Sequence, residues 1–138
     1  MWMVDGDFFT DYSLVLKEAD SSSDFIVPFS EVMFLSKKET INLQTTDDVS
    51  LTHEQKYKTN NQAGKFSFIV RSSTFSSAKG MNEDYYGWGF QDLDFVENRL
   101  SGEESTSRVN VRGYHMFHLP QSKDNIEINR KLYLKNQS

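Results

Sequence analysis

Gly80-Met-Asn-Glu-Asp-Tyr-Tyr-Gly-Trp-Gly-Phe-Gln-Asp-Leu-Asp-Phe-Val-Glu-Asn-Arg-Leu100 is the stretch that decides how the chain is read. It opens on turn residues, passes through Tyr85 and Tyr86, and alternates Gly87, Trp88 and Gly89 before a helical pattern begins near Phe90. Leu93, Val96 and Leu100 recur at i, i+3 and i+7, one apolar stripe of a helix, and Gly102 stands where such a helix stops. Asp92 and Asp94 fall in its first turn. Glycine on both sides of Trp88 frees the backbone and leaves the indole without bulky neighbours in sequence, which predicts an aromatic on a mobile loop. An indole beside a carboxylate suits a saccharide, whose C–H face stacks on the ring while its hydroxyls need acceptors.

Composition bounds the rest. A chain of 138 residues is one domain or part of one, and 37% hydrophobic with 14% aromatic residues is enough to build a core. The net charge of -5 argues against a nucleic-acid surface, which needs clustered Lys and Arg. No apolar run reaches the length of a membrane span and no secretory leader pattern opens the sequence, while the absence of cysteine excludes disulfides and thiolate metal sites. A cytoplasmic setting fits these features.

Working outward, Met1 to Val4 reads as a short buried strand running into Asp5-Gly6-Asp7. A chain opening directly on a strand leads one to expect a larger unit whose N-terminal part precedes it. Phe8 to Ala19 reads as helix, with Thr10 or Asp11 as N-cap and Leu14, Val15 and Leu16 apolar, and Asp20 to Asp24 as a polar link. Phe25 to Phe29 and Val32 to Leu35 form a strand pair or one bent strand, because Pro28 bars a regular central ladder. Lys37 to Leu43 is a helical turn or two, and residues 44–63 are a polar surface excursion. Lys65 to Arg71 alternates like a half-buried strand, and Ser72 or Ser73 caps a short helix ending at Gly80. Ser107 to Arg112 and Tyr114 to Leu119 follow as extended segments, and Asn125 to Tyr133 closes as a helix with Ile126, Ile128, Leu132 and Tyr133 as its apolar side. The fold class expected is α/β, a mixed sheet with flanking helices.

Each candidate site residue has two readings at this level. Asp5 and Asp7 are hard oxygen donors of the kind that hold Mg²⁺ or Mn²⁺, or they are simply turn chemistry around Gly6. His115 and His118 share a face on a helix but oppose each other on a strand, so in an extended segment at most one points into a site. Both also read as ordinary strand histidines, and His53 as a solvated one. Asp92 is the candidate general base, its charge favoured by a helix N-terminus, or it merely caps that helix along with Asp94. Glu97 and Arg99 read as solvated. Trp88 is a ligand-stacking ring or a core residue, and Tyr85 and Tyr86 are core or rim.

Taken jointly, these pieces resemble the C-terminal part of a GT-A glycosyltransferase (the nucleotide-diphospho-sugar transferase fold). Lys79 to Leu100 resembles the Asn-Gly-Phe…Gly-Trp-Gly-Gly-Glu-Asp-Asp-Asp…Asn-Arg-Leu signature of the beta-galactosyltransferase family, shared by the galactosyltransferase-like halves of chondroitin-type polymerases. Asp5-Gly6-Asp7 resembles the family's Asp-x-Asp metal motif, the strand from Phe66 to Arg71 falls before the signature, and His115-Met-Phe-His118 resembles the late metal-ligand segment. The resemblance implies inverting transfer of a galactose or N-acetylgalactosamine type sugar from a UDP-sugar donor to a saccharide acceptor, at the cytoplasmic, inner face of a membrane in polysaccharide synthesis. Asp7, His118 and His115 would then ligate Mn²⁺ or Mg²⁺, Asp5 would lie near ribose and metal, and Asp92 would deprotonate the acceptor. Trp88, Gly87, Gly89, Gln91 and Tyr86 would contact substrate, with Trp88 gating the site. Phe90 and Gln91 replace the signature's Gly and Glu, which alters the acceptor contacts. The family's nucleotide-binding strands lie ahead of the Asp-x-Asp motif, so that half is missing from this sequence. The alternative carried forward is a carbohydrate-binding remnant or subunit without turnover.

Overall fold

The computed structural model describes residues 1–46, 56–57 and 67–137. Among the described residues, eight short strands form two four-stranded mixed sheets. In the first, β1 (Trp2–Val4), β6 (Ser67–Val70), β3 (Phe25–Val27) and β7 (Thr106–Arg108) lie in that order. In the second the order is β2 (Phe8–Thr10), β8 (Arg112–His115), β4 (Glu31–Phe34) and β5 (Lys56–Tyr57). Three chain segments leave the first sheet and enter the second, as β1 passes to β2, β3 to β4 and β7 to β8. β4 and β8 enter the second sheet at the same end, whereas β2, antiparallel to β8, enters at the other, which sets the β1–β2 crossing beside His115 at the end of β8.

The crossing at Phe25–Phe34 shows how sequence sets this. Phe25, Ile26 and Val27 are all buried, as expected of a strand covered on both faces, and β3 pairs antiparallel with β6 and parallel with β7. Pro28 is fully buried and has no N–H to donate, so the ladder breaks there and the chain re-forms as β4 in the other sheet. The bent-strand reading holds, and a direct pairing of the two segments does not. Phe8, Phe25, Val27, Phe29, Phe68 and Phe95 fill the main core, with Phe68 stacked between Phe25 and Phe95 at 5.3 Å from each. Such ring pairs add about 0.5–1.5 kcal/mol each beyond area burial. Val15, Ile26, Val109 and Val111 make a second cluster under helix α1 (Tyr12–Glu18). Gly113 is required in β8 because a Cβ there would run into the buried Phe8 ring.

Four expectations change. Phe8 to Thr10 is a strand rather than the start of a helix; Asp11 caps α1, accepting from the Leu14 N–H at 2.9 Å, and only Val15 of its three apolar residues is buried. The first strand, β1, is half-buried at a sheet edge. Helix α2 (Lys37–Thr46) is capped reciprocally at its start by Ser36 and Glu39 and takes in residues 44–46 of the expected excursion, and residues 56–57 pair with β4. The rest of that excursion, His53 within it, and Lys65 and Phe66 lie outside the described residues.

Helix α3 (Ser72–Ser77) is capped by Arg71 without a side-chain bond, and Lys79 and Gly80 turn left-handed after it. The helical start in the central stretch is α4 (Gln91–Asp94), which continues as a π-type turn over Phe95–Arg99 closed by Leu100 N–H donating to Phe95 O. Of the expected stripe, Val96 and Leu100 pack against the main core and Leu93 is half-buried, while the most deeply buried residues here are Asp94 and Phe95. Helix α5 (Ile126–Asn136) buries Tyr133 and half-buries Ile126 and Leu132 as expected, but it leaves Ile128 65% exposed and buries Asn129 instead.

Candidate metal centre and the loop beside it

Asp7 ends the β1–β2 crossing. Asp5 O accepts from the Phe8 N–H at 3.1 Å, and the Met116 N–H donates to Asp7 O at 2.7 Å, which ties this turn to the end of β8. Phe8 pairs with His115 across the β2–β8 ladder, so Asp7 stands level with the residues that follow His115. The ladder stops at His115, and the segment after it leaves the sheet, so strand alternation no longer separates the two histidines. His118 Nε2 lies 2.9 Å and His115 Nε2 3.6 Å from Asp7 Oδ2, and the ligand atoms of the three residues all fall within 4.8 Å of one another.

The donor set fits a divalent cation. His118 Nδ1 lies 2.8 Å from Leu119 O; a carbonyl only accepts, so Nδ1 carries the proton and the Nε2 lone pair faces Asp7. With Nδ1–H committed, the Nε2 lone pair and the Asp7 carboxylate face each other at 2.9 Å, so a cation lying between them could take both as ligands. The basicity of His115 is lowered by burial and by His118, against the opposing pull of Asp7, and this keeps its imidazole in the neutral form that a ligand needs. Phe34 stacks on the His115 ring at 4.9 Å and fixes its plane. One carboxylate and two imidazoles suit Mn²⁺ better than Mg²⁺, which prefers oxygen alone.

Two more carboxylates adjoin. Asp5 remains open to solvent, yet enough protein surrounds its carboxyl that desolvation, with Asp92 and then Asp7, pushes it up to about 6. Asp92 is half-buried in α4, and burial raises it above the ordinary carboxylate range. The helix-terminus stabilisation expected of Asp92 is thus outweighed by desolvation, and a raised carboxylate is the stronger base. Asp94 behaves oppositely. It is fully buried, and although burial alone would raise it, hydrogen bonds from Asn98 and Asn136, the nearby Tyr85 hydroxyl and the Arg99 guanidinium hold it below the usual range. Glu97 and Arg99, expected on a solvated face, are both engaged: Tyr133 Oη donates to Glu97, and Arg99 Nε lies 3.4 Å from Asp94.

Asp5, Asp7, Asp92, His115 and His118 are therefore brought together. Trp88 and Tyr86 are not core residues: they are 45% and 78% exposed, on the loop that leads into α4, whereas Tyr85 is buried. Gly87 and Gly89 both take positive φ, at 72° and 102°, and so does Phe90 at 69°. Gln91 begins α4, half-buried.

Two residues at the site escaped the sequence reading. Buried Thr40 of α2 accepts from the Phe117 N–H at 2.8 Å and so anchors the residue before His118. Buried Asn129 of α5 holds the Trp88 loop. The only signal for either is a small polar residue at a helix position that the apolar period would otherwise fill. Searches with protein-family models, among curated proteins and among solved structures find no match to this chain.

Proposed function

We propose that this chain is the metal- and acceptor-binding part of a GT-A glycosyltransferase, acting with inversion on a UDP-sugar of galactose or N-acetylgalactosamine type. The observation that carries the reading is the convergence of Asp7, His115 and His118 within 4.8 Å beside the carboxylates of Asp5 and Asp92. Asp7, His115 and His118 would hold Mn²⁺, which supplies the positive charge that a leaving diphosphate requires. Asp92, with its raised basicity, takes the proton of the acceptor hydroxyl as that oxygen bonds to the sugar and the bond to the diphosphate breaks. Trp88 and Tyr86 offer their exposed rings to the apolar face of a saccharide. The family resemblance sets this action at the inner face of a membrane by peripheral association; among the described residues no helix is long and apolar enough to cross one.

The test is transfer from UDP-galactose and UDP-N-acetylgalactosamine to saccharide acceptors in Mn²⁺, with Asp92→Asn alongside. The expected result is loss of transfer by about 100-fold or more in the variant with UDP·Mn²⁺ binding nearly intact. Equal loss of binding and transfer would remove Asp92 from the role of base. A second reading, saccharide binding without turnover, is favoured by Trp88 and Tyr86 lying exposed on a loop held independently of the triad. Metal-independent saccharide binding with no transfer would establish it.

A further inference from the structure

We infer that Asn129 is a positioning residue, the latch that holds the Trp88 loop in a preformed presentation rather than on a mobile hinge. The inference rests on the proposed saccharide role of Trp88 only for its consequence, not for the latch itself. The Asn129 side chain is 1% exposed, and its amide nitrogen lies 3.0 Å from Tyr86 O, 3.1 Å from Trp88 O and 3.2 Å from Gly89 O. An amide has two N–H donors, so three carbonyls share them, and Oδ1 in turn accepts from the Tyr86 N–H at 3.4 Å. One side chain thus satisfies four main-chain groups of residues 86–89.

The alternation of left-handed residues explains how this is reached. Positive φ at Gly87, Gly89 and Phe90 turns the carbonyls inward to Asn129, while the Tyr86 and Trp88 rings point to solvent. Contacts on both glycines close the loop against α5. A Cβ on Gly87 would lie 3.2 Å from Asn125 Nδ2, and one on Gly89 would lie 3.6 Å from Ile126 Cγ1. Lys123 Nζ sits 5.3 Å over the indole centroid. The glycines are used for close approach and handedness, so the indole is presented in one pose. A rigid aromatic platform loses little entropy on binding a flat saccharide face, which makes the C-terminal helix a determinant of ligand affinity although Asn129 itself, buried beneath the loop, is shielded from the ligand.

Asn129→Asp is isosteric, removes both donors and sets a carboxylate against three carbonyls. In a Trp2→Phe background, where Trp88 is the sole tryptophan, acrylamide quenching of Trp88 in Asn129→Asp is expected to rise about twofold to threefold. The Kd for UDP-N-acetylgalactosamine with Mn²⁺ is expected to weaken about tenfold, and Kd for Mn²⁺ alone to stay within about twofold. Unchanged quenching in a folded variant, or Mn²⁺ affinity falling in step with ligand affinity, would overturn the latch. Should the variant fail to fold, time-resolved anisotropy of Trp88 in the Trp2→Phe protein decides: decay with overall tumbling supports the latch, and a dominant sub-nanosecond component refutes it. Where the parent protein binds no UDP-sugar yet Trp88 is released in the variant, the latch stands and the sugar-transfer reading falls.

Discussion

Replacing Asp94 by alanine should be the most damaging single change in the central stretch. Its carboxylate is fully buried and accepts from Asn98 Nδ2 at 2.8 Å, Asn136 Nδ2 at 2.9 Å and Arg99 Nε at 3.4 Å. Removing one partner of a buried pair costs about 3–5 kcal/mol, because the other charge is left without compensation. Arg99 keeps some compensation, since its side chain is 24% exposed and it also donates to Lys79 O and Gly80 O at 3.3 and 3.0 Å. That places the cost near the low end, about 3 kcal/mol. At about 4 °C per kcal/mol for a chain of this size, Tm should fall by about 12 °C. Thermal and urea denaturation followed by far-UV circular dichroism measure it.

Asp94 is held below its ordinary value in the folded chain, so its contribution is complete above the unfolded carboxylate value and is lost as pH falls through the lower folded one. The wild-type and variant curves should therefore converge in strong acid. A fall in Tm under about 3 °C at neutral pH would refute the network, since it would mean less than about 1 kcal/mol for a buried charge and three donors.

Two further outcomes follow from the site. Thr40→Val removes the acceptor for the Phe117 N–H beside His118, so Mn²⁺ affinity measured by calorimetry should weaken about tenfold while stability falls by about 1 kcal/mol; unchanged affinity would separate Thr40 from the centre. Asp5, pushed up to about 6 from 3.8, holds its proton more tightly in the folded chain, so its stabilising contribution is full below the unfolded value and is lost as pH rises through about 6. In chelator, Asp5→Asn should therefore melt above wild type at pH 7.5 and together with it at pH 3.5 or below, and the opposite order at pH 7.5 would contradict the crowding of Asp5, Asp7 and Asp92.

Much of the fold was legible locally. The all-buried Phe25-Ile-Val strand and its break at Pro28 follow from residue types alone. Gly80 reads as the end of a helix and turns left-handed there, whereas Gly87 and Gly89, which read as freeing a mobile loop, take positive φ against α5. The helix faces were legible in part: Val96, Leu100, Ile126, Leu132 and Tyr133 turn inward as the apolar period indicates. Asp94 and Asn129 are also buried, accepting from Asn98 and donating to main-chain carbonyls respectively, while Ile128 stays out. Phe8 to Thr10 deceived for a simpler reason. Its apolar residues are consistent with either period, and only the pairing of Phe8 with His115, some hundred residues on, selects a strand. The same long-range ladder brings Asp7 to His118, so residue types suggested the metal donors, but their convergence could not be read from spacing.

The central claim is that Asp7, His115 and His118 bind one divalent cation together. Electron paramagnetic resonance titration of Mn²⁺ into metal-free protein tests it most directly, with Asp7→Ala and His118→Ala beside wild type. The account predicts one saturable site per chain, weakened by about tenfold or more in each variant, with Mg²⁺ a poor competitor. Wild-type and variant titrations that superimpose would contradict it.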